Sequence, residues 1–270
     1  MTASISFETT LNRPTAYGRL TGLRSLVRKD AHEWLRGRRA WIVLAITTAF
    51  MVLSAANGWI SSQIASMIPA DVQAPTFTLS PADNLMAAVG GQIYVLAAIF
   101  AVVSLIVAER QSGTLAWTAS KPVSRSAIWL SKMLSASGVL ALSAVIVPFA
   151  VTTGLVVVLY GMPPVDLVVA AGFVMTAIVV FFAALGLAAG TVMPGQAAIA
   201  ATGFGFFALV PALAGLIPLP LTPFLPTSIV GWSVATASGV DAGWVTPIAW
   251  AIWTAVLVGF SIRQMNRMEL

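Results

Sequence analysis

The sequence predicts an all-α polytopic membrane protein with six transmembrane helices, a cytoplasmic N-terminal amphipathic helix and a re-entrant segment before the last helix. Three observations carry that prediction. Of the 270 residues, 59% are hydrophobic and only 9% charged, against roughly a quarter charged in a soluble domain. No Asp, Glu, Lys, Arg or His occurs between residues 167 and 240, and mean hydropathy is +0.93. The 14 basic residues also cluster between apolar runs rather than scatter. A soluble fold has too few charges here to cover its surface.

A hydrocarbon core of about 30 Å needs roughly 20 apolar residues in a helix. Six runs qualify: 41–60, 87–108, 133–160, 167–189, 197–217 and 245–262. The third is long enough to tilt, and Pro148 is expected to kink it, as Pro211 does the fifth. Thr246 followed by Pro247 reads as a cap and first position of the sixth.

Charge then sets orientation. Arg13, Arg19, Arg24, Arg28, Lys29, Arg36, Arg38 and Arg39 precede the first run. Arg110, Lys121, Arg125 and Lys132 fall around the link after the second, and Arg263 and Arg267 follow the sixth. Six crossings put them all on one side, which the positive-inside rule makes cytoplasmic. The other side receives Asp71, Asp83, Asp166 and Asp241 and no basic residue. The linker 190–196 carries no charge and casts no vote on its own side. The expected organisation is one domain over 1–270: a cytoplasmic tail with the amphipathic helix at 1–39, a six-helix membrane domain at 40–262, and a cytoplasmic tail at 263–270. The first forty residues lack the apolar core of a signal peptide, so both termini are expected inside.

Between residues 20 and 34, Leu20, Leu23, Val27, Ala31 and Trp34 recur at helical spacing. Arg24, Arg28, His32 and Arg36 occupy another face, and Lys29 and Glu33 stand at i,i+4. Such a helix is expected in the membrane interface, apolar side toward acyl chains and basic side toward anionic headgroups; contact with a cytoplasmic partner is the sharper alternative. His32, the single histidine, reads as a solvated residue of the polar face.

The link after the second run reads Glu109-Arg110-Gln111-Ser112-Gly113-Thr114-Leu115, continues through Trp117, and closes on Lys121-Pro122-Val123-Ser124-Arg125. Ser112 is placed to cap a short helix over 112–120, which Pro122 ends. Leu115 and Trp117 give it apolar anchors suited to a socket on another protein; an ordinary juxtamembrane turn is the plainer alternative.

Other function classes find little support. With no cysteine and one histidine there is no thiolate or multi-histidine metal site, and the acidic residues form no acid/base pair for a membrane enzyme. Membrane sorting already explains the basic residues, so nucleic acid is not an expected partner. No phosphate-cradling G-x-x-x-x-G-K-[ST] loop is present. Apart from Glu109 at an inner boundary, the runs hold no ionisable group of the kind that marks an ion path. Among the polar residues they do hold (Asn57, Gln92, Ser104, Thr152, Thr153 and Thr176 among them), most are expected to be satisfied by backbone or neighbouring helices. Gln92 and Ser104 are candidate path-lining residues. Gly186, Gly190, Gly203 and Gly205 are expected to pack helices, or secondly to meet another subunit. The stretch 218–243, rich in Pro, Gly, Ser and Thr, reads as short re-entrant helices on the outer face, with Trp232 and Trp244 at interfacial positions.

The run E-R-Q-S-G-T-L followed by K-P-V-S-R and then Lys132 resembles the signature of permease subunits of ATP-binding-cassette transporters, of the type-2, exporter-like class that includes the copper-enzyme maturation permeases. The basic entry Arg36-Gly37-Arg38-Arg39 is similar to theirs. The resemblance implies a dimer of permeases, with a second copy or homologue, served by two cytoplasmic ATPase subunits that hold ATP and Mg; this chain itself would bind no cofactor. It implies a coupling segment made of Glu109, Arg110, Ser112, Gly113, Thr114, Leu115, Trp117, Lys121, Pro122 and Arg125. It also implies a connecting helix carrying Arg24, Arg28, Glu33 and Trp34. Glu109 would sit at a transmission interface, paired with an arginine. Gln111 stands where many relatives carry an acid. The implied function is ATP-driven movement of a substrate, outward, across a bacterial cytoplasmic membrane. A stand-alone carrier or channel is the alternative.

Overall fold

The computed structural model describes residues 20–67, 80–103, 105–120, 123–214, 216–229, 231–232, 235 and 243–267. Among these there is no strand; the chain is a bundle of helices. Helix α1 (Leu23–Arg36) is joined through Gly37 to α2 (Arg38–Ala65). A chain of shorter pieces follows: α3 (Pro81–Gly90), α4 (Ile93–Val103), α5 (Leu105–Gln111) and α6 (Thr114–Ala119). Then come α7 (Arg125–Leu140), a π-helical turn (Ala141–Ile146), α8 (Val147–Tyr160), α9 (Val165–Val192), α10 (Gln196–Ala214) and α11 (Val245–Arg267).

Five of the six expected spans are long and apolar enough to cross a membrane: Arg38–Ala65, Pro81–Gln111, Arg125–Tyr160, Val165–Val192 and Val245–Arg267. The fifth in chain order holds a shorter apolar run, Gln196–Val210. The 19 residues of α10 reach about 28 Å at 1.5 Å per residue, close to a bilayer core. The protein is an integral, multi-pass membrane protein.

Helix α9 is the centre of the bundle. Its residues from Ala177 to Thr191 are almost all buried, and α4, α7, α10 and α11 pack around it. Small residues permit the close approach. A methyl group on Gly203 would stand 2.8 Å from Ile99 Cγ2, one on Gly186 3.0 Å from Val102, and one on Gly190 3.3 Å from Ile106. These glycines therefore serve packing within the chain. Phe181, Phe182 and Phe206 stack edge-on or tilted across the α9–α10 contact, at centroid distances of 5.3 to 6.2 Å.

Helices α1 and α2 run beside α7 and α8 in near-constant register. A Cβ on Gly22 would meet Val123, Ser131 bonds Asp30 101 residues away, Thr47 lies 3.3 Å from Ser143 O, and Trp59 bonds Tyr160, again 101 apart. Both partners depart from α-geometry once along this seam. The first does so at Gly37, extended at ψ 145°, and the second at the π-turn just before Pro148. Proline lacks the N–H that would close the preceding α-turn, and the wider turn absorbs that defect. The kink expected at Pro148 thus takes the form of a π-turn, while α10 runs on through residue 211 to Ala214.

At the far end Tyr160 enters the backbone ladder of α2. Its hydroxyl donates to Ala55 O at 2.9 Å and accepts from Trp59 N at 2.7 Å, replacing the bond those two groups would share. Tyr160→Phe is expected to lower stability by about 0.5–1.5 kcal/mol, read as a reduced unfolding midpoint in detergent. No change would mean that the ladder closes by itself.

Three local expectations are corrected. The second span is not continuous: it breaks at Gly91 and Gln92, where Gln92 takes a left-handed φ of 48°. Helix α11 starts at Val245, so Thr246 is a buried first-turn residue rather than a cap, with Pro247 where a missing N–H is harmless. Thr176 bonds Gly172 O at 2.8 Å as expected, but the buried hydroxyls of Thr152 and Thr153 have no partner among the described residues. Of the stretch 218–243, the described part forms 3₁₀ turns, Leu219–Phe224 and Pro226–Ser228, followed by helical residues at 229, 231–232 and 235, and it is held to α11 by a bond from Trp253 Nε1 to Phe224 O (3.0 Å).

Candidate coupling site

The link after the second span is built by short-range bonds. Helix α5 ends at Gln111; Gly113 then turns the chain with φ +73°, a conformation that favours glycine. Ser112 does not cap α6, as its position suggested. Its hydroxyl lies 3.2 Å from Glu109 O and against Thr114 Oγ1, so it secures the end of α5. The first turn of α6 instead closes through Trp117 N to Gly113 O at 3.1 Å. Helix α6 is a six-residue element, shorter than the 112–120 expected. Trp117 is 61% exposed on it, available to a socket.

Three charged residues at the ends of the link, Glu109, Arg110 and Arg125, each reach a different part of the bundle. Glu109 Oε1 stands 2.6 Å from Lys132 Nζ on α7, a side chain only 7% exposed. The carboxylate's partner is therefore a lysine, not an arginine. Arg110 donates to Met193 O at 2.7 Å, and Arg125 donates to Asn266 O of α11 at 3.3 Å. The Arg110 bond settles what charge alone left open: the uncharged 190–196 linker lies at the same end of the bundle as the basic link.

Helix α1 closes over the same place. Leu23, Leu26, Val27, Ala31 and Trp34 are half-buried, and α1 packs along α7. The apolar face expected among acyl chains is thus docked on protein, because α7 presents a complementary face in register. Arg24, Arg28, His32 and Arg36 remain exposed. Lys29 and Glu33 pair at 3.6 Å as their spacing predicts, though both are more than half exposed, so the pair adds little. Asp30 accepts from Ser131 Oγ at 3.0 Å. Asp30, Glu33, Trp34, Glu109, Lys132 and Ser135 line a cavity of about 60 Å³, ample for a water molecule.

The structure so brings together Glu109, Lys132, Glu33 and Trp34, with Arg110, Ser112, Gly113, Thr114 and Arg125 around them. Arg24 and Arg28 face away from the cavity. Lys121, Pro122, Ser104 and the side chain of Leu115 lie outside the described residues. Gln92 sits at a helix break far along the second span. Sequence reasoning did not single out Asp30, Ser131 and Ser135; the signal was available in their 101-residue register only once α1 and α7 were paired. Among the described residues no group of three metal-ligating side chains occurs.

A multi-pass helical bundle whose buried ion pair joins a short exposed link to the membrane helices is built as a membrane-embedded transport subunit. A family model described as ABC-2 family transporter protein matches residues 24–270, so the chain belongs to that family and is an ABC transporter membrane subunit. No curated protein matches it.

Proposed function

We propose that this chain couples ATP hydrolysis by separate ATPase subunits to export of a substrate across a bacterial cytoplasmic membrane. The basic end of the bundle faces the cytoplasm, with both termini there. Two ATPase subunits, holding ATP and Mg, serve a pair of permease chains. The observation that carries this reading is the Glu109–Lys132 pair. An ATPase pressing on α6 moves Glu109, which is fixed to α7 through Lys132, and α7 continues into a membrane span. Arg110 and Arg125 extend the same displacement to the α9–α10 turn and to α11. Force thus enters at one link and is distributed to four helices.

Co-expression with an ABC ATPase encoded beside the chain tests this. The purified pair is expected to copurify and to hydrolyse ATP faster than the ATPase alone. Trp117→Ala is expected to reduce copurification about tenfold or more, since exposed aromatic anchors commonly carry 2 kcal/mol or more. Transport by the chain alone in liposomes, without ATP, would instead favour a stand-alone carrier.

A further inference from the structure

We propose that the outward face of α1 forms a binding groove for an anionic phospholipid headgroup, a role separate from ATPase coupling. An open groove of about 890 Å³ is lined by Arg24, Arg28, Lys29 and His32, together with Leu20 and Leu23. Among the described residues no acidic residue lines it. Of the acids on the same helix, Asp30 is bonded to Ser131 on α7, while Glu33 lines the small cavity beside Lys132 and pairs with Lys29 at 3.6 Å. Arg24 and Arg28 therefore carry most of the groove's positive charge, with Lys29 shared with Glu33.

The groove is also amphiphilic, which favours a lipid over an acidic protein surface. Leu20 is 56% exposed beside the cationic side chains, so a phosphate can sit on the guanidinium groups while the glycerol and first methylenes meet leucine. The basic strip at positions 24, 28, 32 and 36 continues to Arg38 and Arg39, exposed at the mouth of α2. Trp41 and Ile42, 64% and 54% exposed, follow at once. A tryptophan next to an arginine cluster marks headgroup depth, and the helix that carries it, α2, is separated from α1 by Gly37 alone.

The test uses the full-length protein without any ATPase, in nanodiscs of equal phosphatidylglycerol and phosphatidylcholine, with retained lipid counted by native mass spectrometry. The wild type is expected to keep phosphatidylglycerol in several-fold preference. Because each basic side chain near an anionic surface contributes roughly fivefold, Arg24→Gln with Arg28→Gln is expected to reduce that ratio at least fivefold. Arg263→Gln with Arg267→Gln, which removes the same charge elsewhere at the basic end, is expected to preserve it. A wild-type ratio near one, an unchanged ratio in the first variant, or an equal loss in the second overturns the proposal. A first variant that keeps its lipid ratio but no longer copurifies with the ATPase also overturns it, making the groove a protein-docking face. The lipid count needs no ATPase, so its outcome is independent of the coupling function.

Discussion

Glu109→Ala is expected to destabilise the protein by about 3 kcal/mol and to abolish stimulation of the partner ATPase. The stability loss follows from which member of the pair is buried. Lys132 is 7% exposed and Glu109 31%, so removing the carboxylate strands a cation that water barely reaches. Breaking a buried pair in this way costs roughly 3–5 kcal/mol. Asp30 and Glu33 line the same cavity and can partly compensate, which sets the lower end. The reverse variant, Lys132→Ala, leaves a carboxylate that solvent still touches, and its expected cost is smaller, about 1–2 kcal/mol. Thermal or denaturant unfolding of both variants and of the Glu109→Ala, Lys132→Ala double variant closes a cycle. A coupling energy above about 1 kcal/mol is expected for groups in contact. Equal losses in the two single variants would show that burial does not set the asymmetry. Full ATPase stimulation in a folded Glu109→Ala protein would remove the carboxylate from the coupling path.

The membrane class and the positions of the spans were legible because hydropathy and charge sorting are one-dimensional signals. The pairing of Lys29 with Glu33 was equally local, and it formed. Contacts that depend on which helices become neighbours were not readable. Lys132 counted as an inside-positive charge and as the close of the family-like motif, with no partner assigned, although its ammonium is buried against Glu109. The leucine, valine and tryptophan face of α1 fitted acyl chains and α7 equally well, and periodicity alone does not distinguish lipid from protein. Ser112 was misread for a related reason: a serine before a short helix can accept from the next turn or donate to the previous one. The left-handed Gly113 between them decided for the second. Likewise, the break at Gly91 and Gln92 shows in the sequence only as a short Gly-Gly-Gln dip, which the long apolar run around it outweighs in hydropathy.

Gly22→Ala is the second variant with a large expected effect, because two independent penalties meet at one atom. Gly22 has φ +84°, where an L side chain costs about 1–2 kcal/mol. The added methyl would also stand 2.5 Å from Val123 Cγ1, an overpacking worth about 1–3 kcal/mol. The expected total is about 2–5 kcal/mol, and the two parts separate experimentally. In a Val123→Ala background the 2.5 Å clash is removed, leaving a 3.3 Å contact with Cβ, and the cost is expected to fall toward the backbone part of about 1–2 kcal/mol. The damage should spread along the register between α1 and α7. Gly22 O accepts from Leu26 N at 3.1 Å and from Ser25 Oγ at 2.8 Å, and Thr21 O accepts from Ser124 N at 3.4 Å. Loosening that end lets α1 lift from α7 and opens the cavity beside Lys132. Because the chain has no cysteine, Ser135→Cys provides a single thiol on that cavity wall, at a position 4% exposed. Its reaction with a membrane-impermeant maleimide is expected to be slow in the parent and at least tenfold faster with Gly22→Ala. Unchanged labelling alongside a lowered unfolding midpoint would mean that α1 stays seated and that the strain is absorbed within the Thr21–Gly22 turn. In that case Asp30, Ser131 and Trp34, rather than the glycine, hold the helix against α7.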